Sequence, residues 1–182
     1  MIVVETYSTE SLPVPTAVSA RQLMDLAFSH EDEDERFSDH DWNHALGGTH
    51  LVIREGDDVV GHAAVVRRTI HVGGTHFETG YIEAVGVRPD RQGLGLGEAL
   101  IGAAAEVIRE SYELGALGTG RRAFYTRLGW QVWLGPTHVV RDGVWERSPE
   151  DDGYVLVLRF GPSADIAITH PIACEERPGD DW

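Results

Sequence analysis

Apolar residues along this chain fall into short alternating runs broken by glycines and acidic turns, with two stretches at helical spacing set among them. Ile2 to Tyr7 is short and β-branched and reads as a strand. From Thr16 onward Val18, Leu23, Leu26 and Ala27 recur near helical spacing as far as Phe28, which predicts a helix. Glu31-Asp32-Glu33-Asp34-Glu35 follows, and mutual repulsion among these carboxylates favours a solvated loop. Asp39 or Asp41 is placed to cap a short helical turn ending at Gly47-Gly48.

The middle of the chain switches to a period of two. His50 to Arg54, the turn Gly56-Asp57-Asp58 and Val59 to Arg68 form a hairpin pattern, and Gly73-Gly74 turns into a third strand from Thr75 to Val87. From Leu96 to Leu114 the positions Leu96, Leu100, Ala103, Ala104, Val107 and Ile108 mark one helical face, with Gly115 placed to stop the helix. A strand at Ala116 to Thr119, a helix from Arg121 to Leu128 closed by Gly129, and β segments around Trp130 to Val140 and Tyr154 to Phe160 follow. From Gly161 to Trp182 the pattern turns irregular, with Pro162, Pro171 and Pro178 breaking any long element; this reads as a tail that packs across the surface or frays. The order is mixed α/β, and 182 residues without an internal repeat suit one domain spanning 1–182.

Charge narrows the choice of partner. With 30 Asp plus Glu against 15 Lys plus Arg, a formal charge of -15 argues against nucleic acid or an anionic membrane surface and would attract a cationic ligand, although acidity that serves solubility alone accounts for it equally well. Cys174 is the only cysteine, so neither an internal disulfide nor a Cys-rich metal site can be built, which fits a reducing cytoplasm. The N-terminal residues lack the pattern of a secretory signal, and no run approaches the length of a membrane span. His62, His71 and His76 lie on or beside strands without metal-ligand spacing and read as ordinary strand or turn residues, so no metal is expected.

The candidate chemistry begins at Gln92-Gly93-Leu94-Gly95-Leu96-Gly97, between a strand and a helix. Glycines there let backbone N–H groups converge on an anion, and the helix N-terminus adds a favourable dipole; a pyrophosphate suits such a pocket. No Lys-Ser or Lys-Thr completes a P-loop, and the spacing is not that of a dinucleotide fingerprint. By itself the run is also compatible with a close-packed turn. Val87 through Gly97 resembles the acetyl-coenzyme A motif of the GCN5-related N-acetyltransferase (GNAT) superfamily, [QR]-x-x-G-x-[GA], at Gln92, Gly95 and Gly97. The resemblance implies a GNAT fold of α/β (α+β) class, a mixed central β-sheet flanked by helices on both faces. It also implies acetyl-CoA as cosubstrate, with Gln92, Gly93, Leu94, Gly95, Leu96 and Gly97 on the pyrophosphate and the Val85-Gly86-Val87 backbone along the pantetheine arm.

Tyr125 precedes Leu128-Gly129-Trp130 in a pattern similar to the superfamily's Y-x-x-x-G-[FW], which implies a phenol near the coenzyme sulfur. Such a phenol can donate a proton to the departing thiolate, or else simply pack on the sheet. Alternation along the strand puts Tyr81, Glu83 and Val85 on one face, so Glu83 either faces the acetyl group as a base for the incoming amine or points to solvent.

A narrower resemblance rests on Asp41-Trp42-Asn43-His44-Ala45-Leu46-Gly47-Gly48, Gly80-Tyr81-Ile82-Glu83, Tyr112 to Leu117, Glu150-Asp151-Asp152-Gly153 and Gly179-Asp180-Asp181-Trp182. These blocks are similar to actinobacterial aminoglycoside 2'-N-acetyltransferases and imply a polycationic aminosugar substrate and a homodimer. The implied substrate contacts are Asp41, Glu83, Ala84, Asp151, Asp152, Asp180 and Trp182, the last through its indole and α-carboxylate. Charge-assisted hydrogen bonds from ammonium groups to these carboxylates suit that chemistry, although each Asp is equally suited to a turn or cap. The chain departs from the pattern at Arg36, where relatives carry an Asp, at Gly118, where they carry a serine, and in a segment before Tyr125 shorter by two residues. A polyamine, lysine or envelope amine as acceptor, and a non-catalytic sensor of coenzyme A or a cation, are the competing readings.

Overall fold

A computed structural model describes residues 2–29 and 36–182. The acidic run at 31–35, expected as a solvated loop, lies outside the described residues. The elements are β1 (Glu5–Ser8), α1 (Val14–Ala27), α2 (Asp39–His44), β2 (Thr49–Glu55), β3 (Asp58–Val72), β4 (Thr75–Val87), α3 (Leu96–Ser111), β5 (Leu114–Gly118), α4 (Arg122–Thr126), β6 (Gln131–Val132), β7 (Thr137–Arg141), β8 (Val144–Arg147), β9 (Val155–Arg159) and β10 (Ile172–Glu175). The residues group into two compact units, 1–66 with 82–106, and 67–81 with 107–182.

In the first unit β1 pairs antiparallel with β2, and β2 pairs antiparallel with β3 across the expected hairpin. The helix α1 lies over this ladder. Its buried positions are Thr16, Ala20, Leu23 and Met24, while Val18 and Leu26 face solvent, so the apolar stripe is rotated from the one its sequence suggests. Ala20, Leu23 and Met24 form a core with Val52 and Val59, and Tyr7, Phe28, Phe37, Trp42 and Ala84 pack against it. At roughly 25 cal/mol per Å² of apolar surface, this cluster is what fastens α1 to the sheet. Ser38, rather than Asp39 or Asp41, is the N-cap of α2; Asp41 sits at the third position and completes a capping box.

In the second unit β4 runs parallel to β5, which pairs antiparallel with β9, and β9 with β6. On the other side β10 lies between β3, antiparallel, and β7, parallel, and β7 turns back into β8. The sheet is therefore mixed. Gly115 does not stop α3: the helix ends at Ser111, and Gly115 lies inside β5, where an added Cβ would come within 3.1 Å of Trp130 and 3.0 Å of Leu158. The stretch from Gly161 neither frays nor merely packs across the surface, because it carries a strand whose first three residues, Ile172, Ala173 and Cys174, are fully buried. Its backbone is satisfied by ladders to strands about 35 and 100 residues away, pairings that local periodicity does not report.

Candidate functional site

The glycine-rich segment takes the form its composition favours. Gly93 and Gly95 hold φ of +78° and +81°, in the left-handed region that side chains disfavour, and α3 starts at Leu96. Ala99 makes the first intrahelical bond, to Gly95 O at 3.0 Å. The N–H groups of Leu96, Gly97 and Glu98 precede that bond and have no acceptor within the helix, so they form an end suited to a phosphate. Gln92 does not project into this end; its Nε2 donates to Val87 O at 3.3 Å and ties the loop back to β4. The preceding cations are similarly engaged: Arg91 Nε lies 2.8 Å from Glu55 Oε2, and Arg88 Nε 2.7 Å from Asp90 Oδ1. The backbone, not these side chains, is what the loop offers an anion.

Glu83 and Val85 are half-buried on β4. Between them Ala84 adopts φ +47°, so the strand's pleat is interrupted and the alternation expected from Tyr81 to Val85 does not carry across it. An alanine gives no sign of such a conformation. Gly86 is buried, and a Cβ on it would run into the Met24 side chain, which fixes how closely α1 approaches this part of the strand.

In the second unit Tyr125 is 7% exposed near the end of α4. Its ring meets Phe124 edge-on at 5.0 Å and Trp130 at 6.3 Å, and its carbonyl accepts from Leu128 N and Trp130 N, which orders the turn at Gly129. Burial pushes the phenol pKa up to about 12, against the nearby Arg121. Its proton is retained at every physiological pH.

The acidic residues divide. Burial raises the Asp151 carboxyl, against a hydrogen bond from Ser148, and the neighbouring charges of Glu150, then Asp180 and Asp181, raise it further. Of these, the Asp181 carboxylate is already neutralised by Arg141, so it adds little to any attraction for a cation. Asp152 is internally engaged: its Oδ1 accepts from Thr137 N at 3.0 Å and Thr137 Oγ1 at 2.8 Å, and its Oδ2 from Arg147 Nη2 at 2.6 Å. The Arg147 bond first, then Thr137, holds its pKa down to about 2. Asp41 is engaged as well, its Oδ2 accepting from both Ser38 N and Ser38 Oγ at 2.7 Å. For these two the turn-and-cap alternative describes what the carboxylates do in this structure.

Asp181, which the sequence did not single out, anchors the end of the chain. Its carboxylate pairs with Arg141 and accepts from Arg177 N at 3.0 Å, and its carbonyl accepts from Arg68 Nη1 at 2.6 Å. Arg68 and Arg177 also lie 4.8 and 5.5 Å from the Tyr81 ring centroid. The anchored segment brings Trp182 against Gly118: a Cβ there would sit 3.3 Å from the Trp182 carbonyl carbon and 3.2 Å from Tyr81 Oη. A side chain at position 118 would therefore crowd Trp182 and Tyr81. Trp182 Nε1 is buried without a hydrogen-bond acceptor. Cys174 is buried beneath this segment, its thiol pushed up to about 11 mainly by burial.

Similarity to known proteins agrees with this geometry. Residues 16–133 match the family model described as an acetyltransferase (GNAT) domain. The chain is 40% identical over 178 residues to an aminoglycoside 2'-N-acetyltransferase of Mycolicibacterium fortuitum, covering 96% of this chain and 89% of that protein. Its fold is similar to that of the Escherichia coli GNAT family N-acetyltransferase YhbS in complex with CoA, with TM-score 0.68 and 19% identity over 98% of this chain and 93% of the other. A GNAT family acetyltransferase from Brucella melitensis in complex with acetyl-CoA is similar with TM-score 0.63 and 20% identity, covering 95% of each chain. The chain belongs to the GNAT acetyltransferase family and is an acetyl-CoA-dependent N-acetyltransferase.

Proposed function

We propose that this enzyme acetylates the 2'-amine of aminoglycosides. The observation that carries the reading is the 40% identity, over nearly all of both chains, to an aminoglycoside 2'-N-acetyltransferase. The net charge of -15 and the proximity of Glu150 and Asp180 to Asp151 support a polycationic acceptor, which carboxylates hold by charge-assisted hydrogen bonds. Glu83, the Ala84 backbone and the Trp182 indole are each further acceptor contacts in this reading.

The coenzyme pyrophosphate sits on the loop from Gln92 to Gly97, and the Val85 to Val87 backbone takes the pantetheine arm. Acetyl transfer is direct. The amine nitrogen, after Glu83 accepts its proton directly or through water, attacks the acetyl carbonyl carbon; the new C–N bond forms as the C–S bond breaks. A backbone N–H at Val85 stabilises the oxyanion, an interaction worth a few kcal/mol in such sites. Tyr125 donates a hydrogen bond to the leaving sulfur. With a phenol pKa of about 12 against roughly 8.5 for a simple thiol, complete proton transfer would be uphill, so its contribution is stabilisation of the thiolate. Cys174, buried and with its thiol near 11, is unsuited to carry an acetyl intermediate, which supports the direct route.

Thiol release from acetyl-CoA, followed with tobramycin and gentamicin beside a congener bearing a 2'-hydroxyl, tests the assignment. Release is expected with the 2'-amino compounds and absent with the 2'-hydroxyl congener. No release with any 2'-amino aminoglycoside, or much higher kcat/KM with a polyamine, would reject it.

A further inference from the structure

The conformation of Ala84 has a visible support. In a strand an alanine at φ +47° is strained, and such strain persists only where its surroundings over-determine it. The carbonyl of Ala84 accepts a hydrogen bond at 2.8 Å from Nδ1 of His62, a fully buried side chain on β3. His62 Nε2 in turn lies 3.0 Å from Nδ1 of His50, also fully buried, and His50 Nε2 lies 2.9 Å from Thr9 Oγ1. In the β2–β3 ladder Val52 faces His62 and His50 faces Ala64, so the two imidazoles are diagonal neighbours on one face of the hairpin. Trp42 closes over both, its ring 5.5 Å from that of His62 and 6.1 Å from that of His50.

The chain of bonds fixes the tautomer of each ring, while the Thr9 hydroxyl faces both His50 Nε2 at 2.9 Å and Gly48 O at 3.3 Å. A carbonyl only accepts, so His62 carries its hydrogen on Nδ1 and presents a bare Nε2. His50 must then donate from Nδ1, leaving its Nε2 to accept from the Thr9 hydroxyl. Thr9 Oγ1 itself accepts from Gly47 N at 2.8 Å. Burial keeps both rings neutral, with His62 pushed down to about 4. A proton wire is excluded by its terminus, since a peptide carbonyl neither stores nor passes on a proton. What the arrangement delivers is one oriented donor at one strained peptide.

We infer that His62, set in a single tautomer by His50 and Thr9, is a positioning residue that holds Ala84 in its left-handed conformation and thereby aims Glu83 and the Val85 backbone at the reacting acetyl group. The inference rests on the acetyl-transfer roles proposed for Glu83 and Val85. Neither imidazole touches substrate in this scheme; both act through the backbone of β4.

Substitutions at His62 separate the idea from a merely structural role. The amide nitrogen of Asn occupies the place of Nδ1, whereas that of Gln reaches the place of Nε2. His62→Asn is therefore expected to keep kcat within about threefold of the parent, while His62→Gln and His62→Leu lower it about tenfold, with KM for acetyl-CoA within about twofold in all three. In an Ala84→Gly background, where φ +47° carries no penalty, the step His62→Leu is expected to cost less than about threefold. The inference is overturned by parental kcat in His62→Leu, by equal losses in the Asn and Gln variants, or by the same loss in both backgrounds. Should His62→Leu not fold, the Asn and Gln pair decides. A readout independent of any acceptor is the 13Cβ chemical shift of Ala84, which reports the sign of φ and should move in His62→Gln but not in His62→Asn. If no aminoglycoside is turned over by the parent enzyme, the proposed substrate fails, while this shift still supports or rejects the role of His62.

Discussion

Gly95→Ala measures what the backbone of the loop contributes to coenzyme binding. Gly95 holds φ +81°, and a Cβ built on it meets only Glu98 Oε2 at 3.4 Å and Ile2 Cδ1 at 3.9 Å. Those are ordinary contacts, so steric overlap adds nothing and the cost is that of the left-handed conformation alone, about 1–2 kcal/mol for an L-residue. In the free enzyme the exposed loop can relax to relieve that strain; on binding, the N–H groups must return to the anion. The strain then reappears as lost affinity, roughly 5- to 30-fold in Kd for coenzyme A. Isothermal titration calorimetry measures Kd directly, and thermal unfolding tracks stability beside it. Gly102→Ala is the control. Gly102 is exposed within α3 with nothing within 4 Å of a built Cβ, so the change should leave Kd unaltered and stabilise the helix by up to about 1 kcal/mol. Parental Kd in Gly95→Ala would refute the reasoning. If Tm also stayed constant, Gly95 would not need its conformation at all; if Tm fell, the strain would be borne equally in free and bound states.

Two further outcomes are expected. Tyr125→Phe removes one hydrogen bond to a charged sulfur, worth about 1.5–3 kcal/mol, and should lower kcat about tenfold or more. Because burial places the phenol near 12, the parental profile of kcat should show no limb from Tyr125 between pH 6 and 10, and a basic limb in that range abolished by the substitution would contradict its role. The second concerns acid stability. His62 has a folded pKa near 4 against roughly 6.5 unfolded, so below pH 6.5 the unfolded chain takes up a proton that the folded one refuses. No contribution exists above pH 6.5; as pH falls from there toward 4, stability should drop by about 3 kcal/mol in total from this group. Urea unfolding at pH 7.5 and 5.0 of the parent and His62→Asn checks this, and an equal drop in both would exclude His62 as its source.

Much of the site was written locally. The run Gln92 to Gly97 shows its glycines in sequence, and the positive φ at Gly93 and Gly95 and the helix start at Leu96 are the local consequences of that composition. The β2–β3–β4 succession was legible because period-two alternation and the turn glycines act over a few residues. The chemical class was likewise legible, since short motifs around Gln92 and Tyr125 persist as sequence.

Tertiary structure decided the rest. Whether Asp41, Asp152 or Asp151 is available to a cation depends on partners such as Ser38, Thr137, Arg147 and Asp180, and a carboxylate in a sequence does not declare which hydrogen bonds it will make. Strand β10 is only four residues long and exists because β3 and β7 satisfy its two edges. His50 and His62 look like isolated strand residues until the hairpin register sets them diagonally and burial keeps them neutral. Ala84 is the sharpest case. Intrinsic preference would keep it in an ordinary strand conformation, and only a non-local bond from His62 and packing against the α1 core accompany the conformation it takes. Sequence therefore determined which groups and local turns the chain possesses, because those follow from near-neighbour sterics and periodicity. The fold determined which of those groups are free, neutral or strained, because desolvation and hydrogen-bond pairing are set by residues far apart in the chain.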